Sequence, residues 1–184
     1  MKPNPMERKL YLKDFVDEKS VMPLIEAINK INDDDKEKEE EYNGWVREPI
    51  KLYICTYGGV CYLGFALIDA IRASKTPVHT IVLGTAMSMG IFIFAAGHKR
   101  FIGEHATLMY HDISMNLGLN GDMTEGVKIE LQEGLRIQQM GVQFLIETSL
   151  VDKDTIDDYI KRKANWYIPA EEAITLKIAD EYYK

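Results

Sequence analysis

The sequence predicts an α/β domain with a largely parallel sheet, and three observations lead to that prediction. Short β-branched or apolar runs alternate along the chain with segments of helical periodicity. The connections between the runs are long enough for the crossovers that parallel strands require. At 184 residues and 46% apolar composition, the chain can bury a substantial core but is too short for two comfortable domains. We therefore expect a single domain over residues 1–184.

The first part of the chain is predicted to form a strand, a helix, an acidic loop and a second strand. Residues 10–16 alternate as a strand, and residues 20–31 show helical periodicity with the first residue as N-cap. The acidic run DDDKEKEEE over 33–41 is interpreted as a solvated loop or helix end, within a loop insertion over 33–44. Residues 50–57 are nearly continuously apolar, which indicates a strand covered on both faces.

The central part predicts a strand that turns into a helix at Ser88. After the glycine pair 58–59, residues 63–71 have helical periodicity, and the β-branched run 78–83 predicts the next strand. Residues 84–85 are expected to turn the chain into a helix that starts near Ser88. This places a serine between a buried strand and a buried helix.

The last part is predicted to contain two short strands and three helices. The strands are expected at 101–102 and 107–110. A long helix is expected at 123–148, and its apolar face carries Val127, Leu131, Leu135, Val142 and Leu145. A shorter helix follows over 152–163. The final helix starts at the segment PAEEA, which has proline at its beginning and acids in its first turn.

Composition excludes several classes of function. The net charge of −7 argues against broad phosphate-driven binding of nucleic acids. Residues 78–97 are uncharged and reach the lower length limit of a membrane span, but their β-branched first half and their glycines favour a strand followed by a helix. Cys55 and Cys61 lack metal-ligand spacing, so we expect free, buried thiols and no metal or cofactor. The first residues contain no secretory signal, and a cytoplasmic protein is expected.

Ser88, His111 and the glycine pair are the parts of a serine hydrolase. A serine hydroxyl needs a neighbouring base, and histidine titrates in the right range. The N–H of Met89, which follows the serine, can stabilise an oxyanion, and the N–H of Gly59 is a natural second donor because glycine lets the main chain approach a substrate. Each part also has a purely structural interpretation, as an N-cap, a core histidine or a tight turn. Their order and spacing favour the functional interpretation.

Three blocks of this sequence resemble the Clp protease proteolytic subunit (ClpP) family. TYGGVCYLGFALIDAI resembles its SPGGxxxxGxxIYDxI segment, and GTAMSMGIFIFAAGHKRFIGEHATLMYH resembles its GxAASMGxxLLxAGxKGKRxxLPNxxxMIH block. WYIPAEEAITLKIADEYY resembles its RFxSxxEAxxYGLIDxI ending. Because the blocks agree in order and separation, the chain is identified as a divergent member of the family. The resemblance implies the ClpP/crotonase-like fold, with residues 123–148 as its protruding handle helix.

The resemblance also implies an activity and an assembly. It implies a serine endopeptidase that hydrolyses unfolded polypeptides or peptides inside a chamber of two stacked heptameric rings. Ser88 would be the nucleophile and His111 the general base, with the amides of Gly59 and Met89 as the oxyanion hole. The substrate would bind as an added β-strand. The residues implied for that contact are Gly58, Val60, Cys61, Ile113 and Ser114.

Departures from the family pattern keep alternatives open. The family's third triad member is an aspartate, which aligns here with Asn165. An asparagine can orient the imidazole but supplies no negative charge, and in the serine protease template the Asp→Asn change costs about 10⁴ in rate. Asp112 is a poor substitute, because adjacent strand residues point to opposite faces. The family's N-terminal leader helps to dock a AAA+ unfoldase, and the short segment before the first strand here argues against that partner.

Two alternative functions follow. The first is a catalytically weak or silent ring subunit that contributes assembly surface, which Asn165 and the short leader motivate. The second keeps the crotonase-like fold but uses the oxyanion hole for acyl-CoA chemistry. That chemistry does not need the Ser88–His111 pair, and no basic site for the nucleotide is visible, so the sequence disfavours it.

Overall fold

The computed structural model of the chain describes residues 7–112 and 125–184, and these residues form a mixed α/β fold around one seven-stranded sheet. The strands follow the order β1-β2-β3-β4-β7, with β5 paired to the end of β3 and β6 paired to β5. Only the β5–β6 pairing is antiparallel among these strands, so the predicted largely parallel sheet is confirmed. In chain order the elements are β1 (Lys9–Val16), α1 (Glu18–Glu41), β2 (Ile50–Gly59), α2 (Cys61–Ala73), β3 (Val78–Met87), α3 (Met89–Ala95), β4 (Lys99–Ile102), β5 (Thr107–Tyr110), α4 (Glu125–Thr148), α5 (Lys153–Arg162), β6 (Trp166–Pro169), α6 (Ala170–Thr175) and β7 (Glu181–Tyr182).

One face of the sheet carries the core, and the other face is largely open in the single chain. Helices α1, α2 and α3 pack over the strands, and the residues facing them are buried. Burial alternates along β2, so the expectation of a strand covered on both faces is wrong for the single chain. Cys55 lies on the open face and is exposed, while Cys61 is half-buried, which corrects the expected pair of buried thiols. Large apolar side chains on the open face include Tyr11 and Leu83, which line one depression.

Helix α1 continues through the acidic run, which corrects the loop expected over 33–44. Arg8, just before β1, donates hydrogen bonds of 2.6 and 2.8 Å to the carboxylate of Asp35. The hydroxyl of Thr76 and the indole N–H of Trp45 donate to the same carboxylate, at 2.6 and 3.1 Å. Because one of its acids is fully buried among these donors, this end of the helix is held against the sheet and does not become a solvated loop.

Two other boundaries differ from the sequence prediction. The N-cap of α1 is Asp17, which forms a capping box with Ser20, so the helix starts before the predicted N-cap. Strand β3 does not turn at residues 84–85 but continues to Met87. The pairing of Thr85–Met87 with Thr107–Met109 of β5 gives the extra residues a hydrogen-bonding partner that the local sequence does not reveal.

The uncharged stretch 78–97 folds as β3 and α3 within this sheet. Across the part of the chain that the structure describes, every helix is too short or too polar to cross a membrane.

Replacing Asp35 with alanine should lower the free energy of unfolding by about 3–5 kcal/mol, because it leaves the buried guanidinium of Arg8 without its counter-charge. Urea unfolding measures the loss. Asp34→Ala is the matched control, since Asp34 forms a part-exposed i,i+4 pair with Lys38 at 2.6 Å and should cost less than about 1 kcal/mol. Equal losses in the two variants would contradict the buried-pair interpretation.

The same carboxyl should make stability depend on pH. Burial by itself raises the pKa of Asp35, but the hydrogen bonds from Arg8, Thr76 and Trp45 outweigh burial and leave the pKa below its ordinary value. A carboxyl with a depressed pKa stabilises the fold fully above its ordinary pKa and loses this contribution as pH falls through the depressed value. The wild-type protein should therefore lose stability on acidification more steeply than Asp35→Ala.

Candidate active site

Ser88 lies on the sharp turn between β3 and α3. Its backbone has φ 53° and ψ −123°, a left-handed conformation that is costly for a residue with a side chain. Two contacts hold it there. The N–H of Ser88 donates to the carbonyl of Met109 in β5 at 2.8 Å, and the carbonyl of Ser88 accepts from the N–H of Ile91 at 3.2 Å. The serine is thus fixed between a strand end and the first turn of a helix.

The glycine pair at the end of β2 lies directly against this turn. A Cβ at Gly58 would stand 2.6 Å from the Cβ of Ser88 and 3.1 Å from the nitrogen of Met89, and its φ is +103°. A Cβ at Gly59, at φ +153°, would stand 2.4 Å from the carbonyl oxygen of Val16. Both positions therefore require glycine, for space as well as for conformation. The glycines bring the main chain of β2 up to the serine.

His111 follows the last residue of β5 and faces Ser88. Its Nε2 is 2.8 Å from the Oγ of Ser88, and both side chains are half-buried. This distance is within the hydrogen-bonding range that a nucleophile and its base require. The structure thus brings together Ser88, His111 and the predicted oxyanion-hole residues Gly59 and Met89.

Asn165 lies near the histidine but does not contact it through a hydrogen bond. Strand β6 pairs with β5 so that Trp166 is opposite Tyr110, and continuing this register by one residue places Asn165 opposite His111. The side chain of Asn165 is exposed. Among the hydrogen bonds of the described residues, none joins Asn165 or Asp112 to the imidazole. The structure therefore places Asn165 across the sheet from His111, but without the hydrogen bond that would orient the imidazole.

A cavity of about 260 Å³ opens beside the Ser88–His111 pair. One wall comes from α4, and apolar rings from α2, α3 and β5 form much of the rest. The lining residues that sequence reasoning did not single out include Phe65, Phe92, Tyr110, Ile137, Gln138 and Gly141. The predicted apolar face of α4 is partly correct, because Leu145 is buried and Val142 packs against the core. Ile137 and Gly141 are buried, whereas Leu131 and Leu135 are exposed.

Tyr110 gives the cavity an unusual polar group. Its side chain is 2% exposed and lies edge-on to Phe92 with ring centroids 6.2 Å apart. Its hydroxyl is buried, and among the described residues it has no hydrogen-bond partner. Burial raises the pKa of this phenol, so the group stays neutral.

The residues expected to bind a peptide strand differ in how close they lie to Ser88 and in whether their main-chain groups are already hydrogen-bonded. Gly58 and Cys61 lie beside the serine, and Cys61 lines the cavity with a thiol whose pKa is raised by burial. Val60 has both of its main-chain groups engaged within the chain. Its N–H donates to Val16 at 2.8 Å, and its carbonyl accepts from Gly64 at 3.0 Å. The expected contacts at residues 113 and 114 lie outside the described residues.

A serine hydroxyl within hydrogen-bonding distance of an imidazole, on a strand-to-helix turn of a mostly parallel sheet, is an arrangement that serine hydrolases use. Comparison with known proteins narrows this class. The sequence matches the Clp protease family over residues 7–184, and the chain belongs to that family of serine peptidases. The predicted family membership is confirmed.

Several relatives are similar over nearly the whole chain. One is the ATP-dependent Clp protease proteolytic subunit 3 of Synechococcus sp. (strain CC9902), 31% identical over 183 residues, which are 95% of this chain and 82% of the relative. Another is the ATP-dependent Clp protease proteolytic subunit 2 of Prochlorococcus marinus (strain MIT 9312), also 31% identical, with 95% of this chain and 80% of the relative covered. These relatives support a ClpP-like protease.

Proposed function

We propose that the chain is a ClpP-like serine endopeptidase that hydrolyses peptide bonds of unfolded polypeptides or peptides through an acyl-enzyme at Ser88. The observation that carries the proposal is the 2.8 Å distance between the Oγ of Ser88 and the Nε2 of His111, at the mouth of a cavity lined by apolar rings. Membership in the Clp protease family supports it.

Each proton in the proposed reaction has a donor and an acceptor. The Oγ of Ser88 attacks the peptide carbonyl carbon while its proton passes to the Nε2 of His111. The tetrahedral intermediate collapses when the imidazolium gives that proton to the leaving amine, and the peptide C–N bond breaks. Water then attacks the acyl-enzyme, gives a proton to His111 and releases the acid, and the proton returns to Ser88. Water is the only co-reactant in these steps.

The main chain supplies the groups that would stabilise the tetrahedral oxyanion. The N–H of Met89 belongs to the first turn of α3, where main-chain donors have no partner within the helix. The N–H of Gly59 comes from the end of β2, which the contact of Gly58 with Ser88 and Met89 holds against the same turn. Preorganised donors of this kind are usually the largest contribution to catalysis in such sites.

The cavity supports a preference for an apolar side chain on the acyl side of the cleaved bond. Phe65, Phe92 and Ile137 line it, and a site of this size and lining favours burial of one apolar residue.

The open face of the sheet supports assembly into rings. Tyr11 on β1 and Leu83 on β3 are each 52% exposed, and both line one depression on this face. A contiguous apolar surface of this kind is typical of an interface. A homo-oligomer of stacked heptameric rings would cover such surfaces and enclose the site in a chamber.

Intact-mass analysis after exposure to a small fluorophosphonate tests the proposed function. We expect one adduct in the wild-type protein and none in Ser88→Ala, because only an activated serine reacts. Ser149→Ala, a serine at the end of α4, is the matched control and should still be labelled. Failure to label a folded, oligomeric wild-type protein would contradict the protease proposal and favour the silent ring subunit.

A further inference from the structure

Thr56 links the two segments that carry the proposed oxyanion donors, although it does not line the cavity. Its side chain is 1% exposed on the core side of β2. Its hydroxyl donates to the carbonyl of Asp14 in β1 and accepts from the N–H of Gly58 at 3.1 Å. One buried hydroxyl therefore satisfies two main-chain groups of different strands.

The sheet is irregular on both sides of Thr56. Along β1, Asp14 pairs with Thr56 but Phe15 pairs with Gly58, so β2 has an extra residue at Tyr57. On the other side, the register between β2 and β3 shifts between Ile54 and Thr56. Bulges interrupt the ladder and leave main-chain groups without their regular partners. The hydroxyl of Thr56 takes the place of those partners.

The backbone of Asp14 shows that this region is held in an uncommon conformation. Its φ is 61°, which is unfavourable for a residue other than glycine. The hydrogen bond from Thr56 engages its carbonyl. Such conformations persist where the surrounding contacts over-determine them.

The methyl group of Thr56 contacts the other donor segment. A Cβ on Gly90 would stand 2.6 Å from the Cγ2 of Thr56, so the first turn of α3 packs directly on this methyl group. The N–H of Met89 belongs to that turn, and the N–H of Gly59 follows the amide that the hydroxyl holds. The side chain of Thr56 therefore spans the separation between the two donors.

From this geometry we propose that Thr56 is a positioning residue that sets the spacing of the oxyanion hole, an inference that rests on the proposed function. The hydroxyl fixes the Gly58–Gly59 main chain, and the methyl group fixes the start of α3. A displacement of about 1 Å in a catalytic group costs on the order of 10² in rate. The loss should appear in the chemical step and leave the binding of the reagent unchanged.

The test compares Thr56→Val, Thr56→Ser and Thr80→Val in fluorophosphonate inactivation, which separates the maximal rate constant from the half-saturating reagent concentration. Thr80→Val is the matched control, because Thr80 is also fully buried and donates to a main-chain carbonyl, that of Phe94, at 2.7 Å. We expect the maximal rate constant of Thr56→Val to fall about 10²-fold with unchanged half-saturation. Thr56→Ser, which keeps the hydroxyl but loses the methyl group, should lose less than Thr56→Val, and Thr80→Val should stay near the wild-type rate.

The outcomes distinguish this proposal from the function on which it rests. If the wild-type protein is labelled and Thr56→Val reacts as fast as Thr80→Val, the positioning role is wrong and the protease proposal stands. If the folded wild-type protein is not labelled, the protease proposal itself fails, and the positioning role fails with it. If Thr56→Val does not fold, Thr56→Ser and Thr56→Ala carry the comparison, because they differ only in the hydroxyl. Equal rates in that pair would overturn the proposal.

Discussion

Replacing His111 with alanine should lower kcat for peptide hydrolysis by at least about 10²-fold, because a complete Ser–His–Asp unit contributes about 10⁶ to kcat in a well-studied serine protease and the Asp→Asn change alone removes about 10⁴ of it. Without the imidazole, the hydroxyl of Ser88 has no acceptor for its proton at the 2.8 Å position. A fluorogenic peptide assay on the assembled protein measures the change. The residual rate should come from binding and from the oxyanion hole.

The control for this variant is His105→Ala. His105 is exposed, lies between β4 and β5 and takes no part in the site, so the assay should give nearly the wild-type rate. Retention of hydrolysis by His111→Ala would assign the base to another residue. Loss of hydrolysis in both variants would instead indicate damage to the β4–β5 region.

Replacing Asn165 with aspartate should raise kcat, by up to about 10⁴-fold, which is the reverse of the Asp→Asn loss in the serine protease template. A carboxylate opposite His111 can stabilise the imidazolium that forms during the reaction, and an amide cannot. The β5–β6 register, continued by one residue, places residue 165 opposite His111, and its exposure leaves the side chain room to turn toward the ring. Hydrolysis of the same peptide measures the gain.

Two further variants make this prediction specific. Asn165→Ala shows whether the asparagine itself orients the imidazole, since its removal should then reduce the rate. Asn29→Asp adds one negative charge on the exposed face of α1, away from the site, and should leave the rate unchanged. An equal rate for Asn165→Asp and the wild-type protein would mean that the residue at position 165 does not support His111 in catalysis.

The elements with strong periodicity were predictable from the sequence, and those that depend on distant partners were not. Strands 10–16 and 107–110 were placed almost to the residue. The sequence predicts too early an end for helix α1, because the ion pair that extends the helix joins residues 27 positions apart. The sequence also predicts too early an end for strand β3, because the last residues of the strand are defined by their pairing with β5. The short strands β6 and β7 were missed for the same reason, since pairing alone defines them.

The candidate site was partly predictable for a related reason. The glycine pair and His111 follow predicted strands, Ser88 stands at the predicted start of the helix after another, and parallel strands bring their carboxyl ends to one edge of the sheet. The packing around them could not be read in this way. The cavity wall from α4 depends on which helix face turns inward. The predicted apolar face includes Leu145, which is buried, but also Leu131 and Leu135, which the fold leaves exposed.

The antiparallel β5–β6 ladder separates the segment that holds the reacting residues from the segment that forms one wall of the pocket. His111 and Asn165 are the first residues beyond one end of that ladder, on its two strands. Of the sequence between them, the described residues 125–164 form helices α4 and α5 and contribute no strand to the sheet. Substitutions on the inner face of α4 would therefore change the pocket wall, while the β5–β6 ladder holds the main chain beside His111.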